Sequence, residues 1–174
     1  MTTEVKQDKQ ARLAGLYEEY YDRIARYACT RIGNQSDAED IAGEVFLKAL
    51  QSLDSFKEQG PPMQVWLFKI AHNLVVDYLR RNSKMKTVPI EDINVADNSD
   101  PAAAAELNFE IARVKEALKR LSADQQEVIR LRFLAGLTSR EVSYLMRKTD
   151  GAVREMQRAA LERLRQILNE PVRR

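Results

Sequence analysis

The chain has 174 residues, of which 44% are hydrophobic and 31% are charged, and it contains six glycines and five prolines. This composition suits one or two small globular domains and excludes a low-complexity or fibrous protein. A polar start at residues 1–10, and apolar runs far shorter than the roughly 20 residues of a membrane span, predict a cytoplasmic protein without a secretory leader or membrane insertion. The single Cys29 excludes an internal disulfide and a cysteine-based zinc site.

Charge is unevenly distributed along the chain, although the net charge is only +2. Residues 1–86 carry a net charge of +1, residues 87–110 carry −6 without a single Lys or Arg, and residues 111–174 carry +7. The basic C-terminal block favours a polyanionic partner such as a nucleic acid. A solvated helix surface is the alternative that charge alone leaves open.

The predicted elements of the N-terminal half are helices. The first is expected at about residues 10–32 and ends near Gly33. The motif Ser36-Asp37-Ala38-Glu39 predicts a capping box that opens a second helix at about residues 37–53. The apolar stretch VWLFKIAHNLVVDYLRR at 65–81 predicts a third helix. Its core-facing stripe consists of Leu67, Ile70, Ala71, Leu74 and Tyr78.

The acidic strip is also the part of the chain that has no helical stripe. It contains Pro89, Pro101 and a cluster of Asn, Asp and Ser, which are typical of loops. We therefore predict an all-α protein of two small helical domains, at 10–82 and 109–170, joined by an acidic flexible linker at 83–108. Fully extended, the acidic strip would reach about 80 Å.

Three further helices are predicted in the C-terminal half. Capping boxes at Ser122–Gln125 and Thr138–Glu141 open helices at about 123–135 and 138–146. After a short turn, Thr149 caps a last helix at about 150–168.

Two helices joined by a turn of three or four residues form a helix-turn-helix, whose second helix enters the major groove of DNA. The exposed face of the last helix would carry the cations Arg154 and Arg158, with Lys148 just before it. Arginine can pair with guanine through two hydrogen bonds or bind phosphate. Gly151 in the first turn would allow close approach to the DNA backbone. The alternative is an ordinary amphipathic helix with a basic surface.

Three motifs in order give the chain a family resemblance. They are DAEDIAGEVFLKAL at 37–50, WLFKIAHNLVVDYLRR at 66–81 and LTSREVSYLMRKTDGAVREMQRAALERL at 137–164. Together they resemble a bacterial extracytoplasmic-function (ECF) sigma factor, which is the two-domain class of the sigma-70 family. The resemblance covers nearly the whole chain.

The resemblance implies a transcription initiation factor without a cofactor. Such a protein binds the two largest subunits of core RNA polymerase, directs the enzyme to the −35 and −10 elements of promoter DNA, and helps to separate the strands. It also implies control by an anti-sigma factor. In the family, the helix at about 37–53 binds the polymerase, and its exposed row here is Asp40, Glu44 and Lys48.

The resemblance also implies two sets of DNA-binding residues. The N-terminal domain would bind the −10 element through Phe56, Met63, Trp66, Lys69, Asn73, Arg80 and Arg81. Asn73 would help to read this element, and Trp66 with the loop at 54–64 would hold a flipped base. The alternative for Trp66 is an aromatic residue of the domain core. The C-terminal domain would bind the −35 element through Lys148, Thr149, Gly151, Arg154, Glu155 and Arg158.

Three features depart from the family pattern. In the last helix, Glu155 and Ala159 occupy places where relatives often have a small polar residue and an Arg, which leaves Arg154 and Arg158 as the better candidates for −35 contacts. Met63 stands where relatives often carry an aromatic residue, and Arg147 stands in a turn where glycine is common. A second hypothesis is a stand-alone helix-turn-helix regulator that binds DNA without polymerase. An enzyme has little support, because the sequence has no phosphate-binding Gly-rich loop, no metal-ligand cluster and no paired catalytic residues.

Overall fold

The computed structural model describes residues 3–83 and 100–170, and within these ranges all regular structure is helical. The N-terminal half contains α1 (Thr3–Ile32), α2 (Gln35–Gln51), a 3₁₀ turn (Leu53–Ser55) and α3 (Met63–Asn82). The C-terminal half contains α4 (Pro101–Lys119), α5 (Ala123–Ile129), a π-helical segment (Arg130–Leu134), α6 (Ser139–Met146) and α7 (Asp150–Asn169). The all-α prediction is confirmed. None of the described helices is long and apolar enough to cross a membrane.

Helix α1 begins at Thr3, about two turns earlier than the sequence predicted. The early turns contact the loop that follows α2. Lys9 Nζ donates to the carbonyl of Phe56 over 2.8 Å, and Arg12 forms an ion pair with Glu58 at 2.7 Å. These contacts give a polar segment partners that no local pattern could indicate.

The predicted capping box at Ser36–Glu39 is wrong, because α2 begins before it. Gly33 has a φ of 76° and ends α1, and the next residue, Asn34, is extended. Its side-chain oxygen accepts from the backbone N–H of Asp37 over 2.9 Å. Asparagine is as good an N-cap as serine, and Asn34 directly follows the residue that stops the preceding helix. Ser36 therefore lies inside α2.

Helix α3 lies along the core as predicted. Leu67, Ala71 and Leu74 are buried, and Ile70 and Tyr78 are partly buried against the same cluster. Edge-to-face contacts join the ring of Phe68 to two tyrosines of α1, Tyr20 at 6.2 Å and Tyr27 at 5.8 Å between centroids. These aromatic residues hold α1 and α3 together.

Residues 101–108, which the sequence analysis assigned to the linker, form the first two turns of α4. The Asp100 side chain accepts from the backbone N–H of Ala102 over 3.0 Å, so it caps the helix. Pro101 occupies the first helical position, where its missing N–H costs nothing. The proline that indicated a loop is thus a helix-start residue. The remaining linker prediction, at residues 84–99, lies outside the described residues.

The two predicted capping boxes of the C-terminal half are confirmed. The pairs are Ser122 with Gln125 and Thr138 with Glu141, each with both reciprocal hydrogen bonds. The helix predicted at 123–135 is less regular than expected, because α5 ends at Ile129 and the π-helical segment follows it.

The two halves share one buried core, which the sequence did not predict. The cluster that joins α1, α2 and α3 also contains apolar residues of the π-helical segment, α6, α7 and the adjoining turn: Leu131, Ala135, Leu137, Val142 and Val153. A hydrogen bond of 2.8 Å joins Gln64 of α3 to Glu141 of α6. The helix-turn-helix is therefore seated on α1 and α3.

Candidate nucleic-acid interface

The outer face of α2 carries the row predicted to bind polymerase. Asp40, Glu44 and Lys48 are all exposed, and Glu44 pairs with Lys48 at 3.6 Å. Leu47 lies between them on the helix surface and is 55% exposed, and Leu50 is 49% exposed. The sequence analysis missed Leu47, although its position off the buried stripe indicated it. The face is therefore mixed, with apolar side chains among charged ones.

The loop before α3 presents its predicted DNA contacts unequally. Phe56 is buried, and Met63 is only 1% exposed. Trp66 is half-buried, and its ring centroid lies 5.3 Å from that of Phe56. Trp66 is thus the least buried of the three, and Phe56 packs against it.

Asn73 and Lys48 meet in a cleft between α2 and α3, although the sequence assigned them to different surfaces. The cleft has a volume of about 440 Å³. Its lining is Lys48, Gln51, Ser52, Ile70, Asn73, Leu74 and Asp77. Amide, carboxylate and ammonium groups therefore surround an apolar floor.

Lys69, Arg80 and Arg81 are exposed on α3. Arg80 pairs with Asp77 at 2.6 Å, and Arg81 Nε donates to the carbonyl of Asp77 over 3.3 Å. The two arginines lie at the C-terminal end of α3, where the helix dipole favours positive charge. They form a basic end to the face that begins at Trp66.

The turn between α6 and α7 is sharply defined. Arg147 has a φ of 53° and is the one non-glycine residue with a positive φ among those the structure describes. The Thr149 side chain accepts from the backbone N–H of Ala152 over 3.1 Å, which confirms the predicted cap. Gly151 is exposed, and a Cβ added there would meet no atom within 4 Å. The start of α7 is therefore open on its outer side.

The predicted recognition face of α7 is exposed, and its cations are paired. Arg154 lies 2.6 Å from Asp150, Arg158 lies 2.7 Å from Glu155, and Lys148 of the turn lies 3.2 Å from Asp124 of α5. The hydrogen bond from Arg158 lowers the pKa of Glu155. The face thus combines cations with carboxylates that hold them.

A polar cluster that the sequence did not predict joins the two halves. The Tyr27 hydroxyl of α1 donates to Glu127 of α5 over 2.7 Å and lies 3.2 Å from His72 Nδ1 of α3. Arg31 and Arg130 lie beside these groups. Sequence reasoning had no means of finding it, because Tyr27 and Glu127 are 100 residues apart.

Burial and charge shift the pKa values inside this cluster. Burial raises the pKa of the Tyr27 hydroxyl, and the charge of Glu127 adds to the effect. Burial would also raise the pKa of Glu127, but hydrogen bonds with His72 and Tyr27 and the charge of Arg31 outweigh it and hold that pKa below its usual value. Glu127 is therefore an ionised acceptor at neutral pH. Within residues 3–83 and 100–170 no three His, Cys, Asp or Glu side chains are grouped so as to hold a metal.

Two family models match the chain, one in each half. Residues 16–85 match Sigma-70 region 2, and residues 117–166 match Sigma-70, region 4. The first spans most of α1, with α2 and α3, and the second spans the helix-turn-helix.

The curated relatives agree with these matches. The chain is 34% identical over 161 residues to the ECF RNA polymerase sigma factor BldN of Streptomyces coelicolor, an alignment that covers 91% of this chain and 61% of BldN. It is 31% identical over 148 residues to the ECF RNA polymerase sigma factor SigD of Mycobacterium tuberculosis, which covers 82% of this chain and 70% of SigD. The chain thus spans less than two thirds of the length of BldN.

Two solved structures share the fold. CnrH in complex with the cytosolic domain of CnrY superposes with a TM-score of 0.66 at 24% identity, covering 92% of this chain and 89% of CnrH. RpoE of Bartonella quintana in complex with the anti-sigma factor NepR superposes with a TM-score of 0.59 at 22% identity, covering 97% of this chain and 99% of RpoE. Family models in both halves and relatives above 30% identity lead to one conclusion: the chain belongs to the ECF sigma factors of the sigma-70 family.

Proposed function

We propose that this chain is a promoter-specificity subunit of RNA polymerase. It binds the core enzyme, directs it to a promoter with −35 and −10 elements, and promotes strand separation without forming or breaking bonds itself. One observation carries the proposal: region 2 and region 4 occur in order on one chain, and the recognition helix of region 4 exposes Arg154 and Arg158. The work of such a protein takes place in the cytoplasm.

The −10 site of this proposal is the outer side of α3. A base turned out of the duplex needs stacking and edge contacts that offset the few kcal/mol of unstacking. Trp66 offers ring surface, and Asn73 offers an amide at the edge of the cleft between α2 and α3. Lys69, Arg80 and Arg81 would bind phosphates along the same helix. Lys48 belongs to this cleft as well as to the polymerase-binding row.

The −35 site is the N-terminal part of α7. Arg154 and Arg158 lie four residues apart on an exposed side, and Lys148 and Thr149 stand at the helix start. Helix N-terminal amides attract phosphate, so Thr149 and Gly151 suit a backbone contact. Both carboxylate oxygens of Glu155 accept from Arg158. Glu155 therefore orients Arg158 in the free chain, and a contact with a cytosine amino group would have to compete with this pair.

The polymerase-binding site is the outer face of α2. Exposed apolar side chains ringed by charge suit a stable but reversible protein interface. We assign Leu47 and Leu50 to this interface beside Asp40, Glu44 and Lys48. The largest subunit of the polymerase would contact α2, and the second-largest subunit would contact region 4.

An anti-sigma factor completes the proposed set of partners. RpoE, whose fold this chain shares, was solved in complex with one. The two halves of this chain already share a core. An anti-sigma factor would act by keeping these halves together.

The test is transcription in vitro with purified core RNA polymerase on a genomic library, with the RNA start sites mapped. We expect start sites that depend on the chain and share a common −35 and −10 sequence. The stand-alone regulator hypothesis instead predicts tight DNA binding by the chain alone and no effect on start sites. That second result would overturn the proposal.

A further inference from the structure

Arg154 is held on two sides by residues that the family resemblance did not single out. Its Nη2 atom lies 2.6 Å from Asp150 Oδ2 in the first turn of α7. Its Nε atom donates to Ser139 Oγ of α6 over 3.4 Å. The two contacts come from both helices of the helix-turn-helix, so they fix the guanidinium relative to the whole motif.

The contacts leave the correct donors free for a base. A guanidinium has five N–H donors, one on Nε and two on each terminal nitrogen. Ser139 accepts the one on Nε over 3.4 Å, and Asp150 forms an ion pair with Nη2. No contact of Nη1 occurs among the described residues, so Nη1 and an N–H of Nη2 remain available to a base. Two parallel donors are what the O6 and N7 atoms of guanine accept in the major groove.

Asp150 is itself firmly placed. It follows the cap residue Thr149, so its carboxylate lies at the positive end of the α7 dipole. Its other carboxylate oxygen, Oδ1, is buried without a hydrogen-bond partner among the described residues, and the side chain is 35% exposed against 70% for Arg154. The support is thus more buried than the group that it contacts, which is presented to solvent.

Arg158 is arranged differently. Both of its contacts are with Glu155, three residues earlier on the same helix, at 3.1 Å from Nε and 2.7 Å from Nη2. Glu155 is 65% exposed, so this pair lies in solvent and is not tied to α6. Of the two arginines, Arg154 is therefore the one placed against both helices of the helix-turn-helix.

We propose that Asp150 and Ser139 are positioning residues that aim Arg154 at a guanine of the −35 element. They set base discrimination at that one position by removing the freedom of the arginine before DNA binds. This inference rests on the proposed −35 role of Arg154.

The loss of Asp150 affects two different quantities, depending on whether the residue acts through its charge or by positioning Arg154. A carboxylate near DNA repels phosphate, so its loss should by charge alone strengthen binding to every sequence. Loss of positioning should instead weaken the preference for one base, because the arginine can then also reach phosphates and other bases. Base preference, and not total affinity, is the quantity to measure.

The experiment uses the full chain with core RNA polymerase on a promoter library. The −35 region is randomised, and the −10 region is fixed from a promoter that the unaltered chain selects. Base preference at each position is read from the transcripts for the unaltered chain, Arg154→Ala, Asp150→Ala, Ser139→Ala and the control Glu162→Gln. Glu162→Gln removes one negative charge farther along the same helix.

We expect Arg154→Ala to abolish a guanine preference at one position. Asp150→Ala should reduce the preference at that same position by at least about fivefold, and Ser139→Ala should reduce it less. Glu162→Gln, whose charge acts on Arg158 and not on Arg154, should leave the preference at that position unchanged. Thermal unfolding of each variant checks the fold, and Ser139→Ala carries the test if Asp150→Ala does not fold.

The outcomes separate the inference from the function on which it rests. If Arg154→Ala changes no position, the −35 assignment of Arg154 is wrong. If Arg154→Ala removes a preference that Asp150→Ala and Ser139→Ala both retain, the positioning role is overturned and the −35 assignment stands.

Discussion

Arg147 has a strained backbone conformation in the turn of the helix-turn-helix. It occupies the left-handed region, with a φ of 53°, in the turn between α6 and α7. A side chain there costs about 1–2 kcal/mol, which glycine avoids at the expense of a more flexible unfolded chain. The turn therefore keeps the geometry that a glycine would favour, in spite of the residue present.

Replacing Arg147 with glycine should stabilise the protein. We expect Arg147→Gly to raise the free energy of unfolding by up to about 1 kcal/mol, measured by urea denaturation. Arg147→Ala is the matched control, because it removes the charge and keeps the Cβ atom that causes the strain. Equal stability of the two variants would show that backbone strain at this turn is not significant.

Glu127 should make stability depend on acid. Its pKa is held below the usual value, so it stabilises the folded state above the usual carboxylate range, and the contribution is lost as the pH falls through its folded pKa. Glu127→Gln should therefore unfold more easily at pH 7, by roughly 1–3 kcal/mol, and lose less stability between pH 6 and pH 3. Chemical denaturation across this pH range measures both effects.

The control for Glu127 is Glu116→Gln on α4, where the carboxylate is 70% exposed and pairs only with Lys119 in the described contacts. We expect its effect to stay within about 0.5 kcal/mol at either pH. A Glu127→Gln variant with the acid slope of the unaltered chain would contradict the assignment of that slope to Glu127.

Helix ends show where sequence patterns succeed and where they fail. The boxes at Ser122 and Thr138 were predictable because each pattern has one interpretation, with no better cap nearby. The cap of α2 was not predictable in this way, because Asn34 and Ser36 are both suitable cap residues. The choice between them depends on where Gly33 ends α1. Pro101 was equally ambiguous, since proline is common both in loops and at the first position of a helix.

The cap of α2 can be tested directly. Asn34→Ala should lower the free energy of unfolding by about 1 kcal/mol, since the backbone N–H of Asp37 loses its acceptor. Ser36→Ala should change it by less than about 0.5 kcal/mol. Thermal and urea unfolding of the two variants, side by side, give the comparison, and the reverse order would restore Ser36 as the cap.

At the scale of the whole molecule, the local elements were predictable and their assembly was not. The exposed positions of Asp40, Asn73, Arg154 and Arg158 follow from helical periodicity, whereas the roles of Asp40 and Asn73 were implied by the family resemblance. The seating of α6 on α3 and the cluster around Tyr27 and Glu127 depend on residues far apart in the chain. No periodic pattern records such pairs.

The shared core predicts that the two halves unfold together. Leu137 lies in the C-terminal half and is fully buried in the common cluster. Leu137→Ala should therefore lower the stability reported by the fluorescence of Trp66, in the other half, by about 2–5 kcal/mol. Leu161→Ala makes the same change at a site that is 43% exposed and should have little effect. An unchanged Trp66 transition in Leu137→Ala would show that the halves are independent.

The seating of α6 on α3 also bears on measurements with DNA. If the proposed −35 and −10 elements are centred about 25 base pairs apart, they are roughly 85 Å distant along the duplex, and one chain would reach both only after its halves come apart. Separation exposes the apolar surface around Leu137 and Val142 to water. An affinity measured for the isolated chain is then the intrinsic affinity scaled by the small fraction of molecules that are already open. A protein surface that covers the newly exposed side chains would raise that fraction, and with it the occupancy of the promoter.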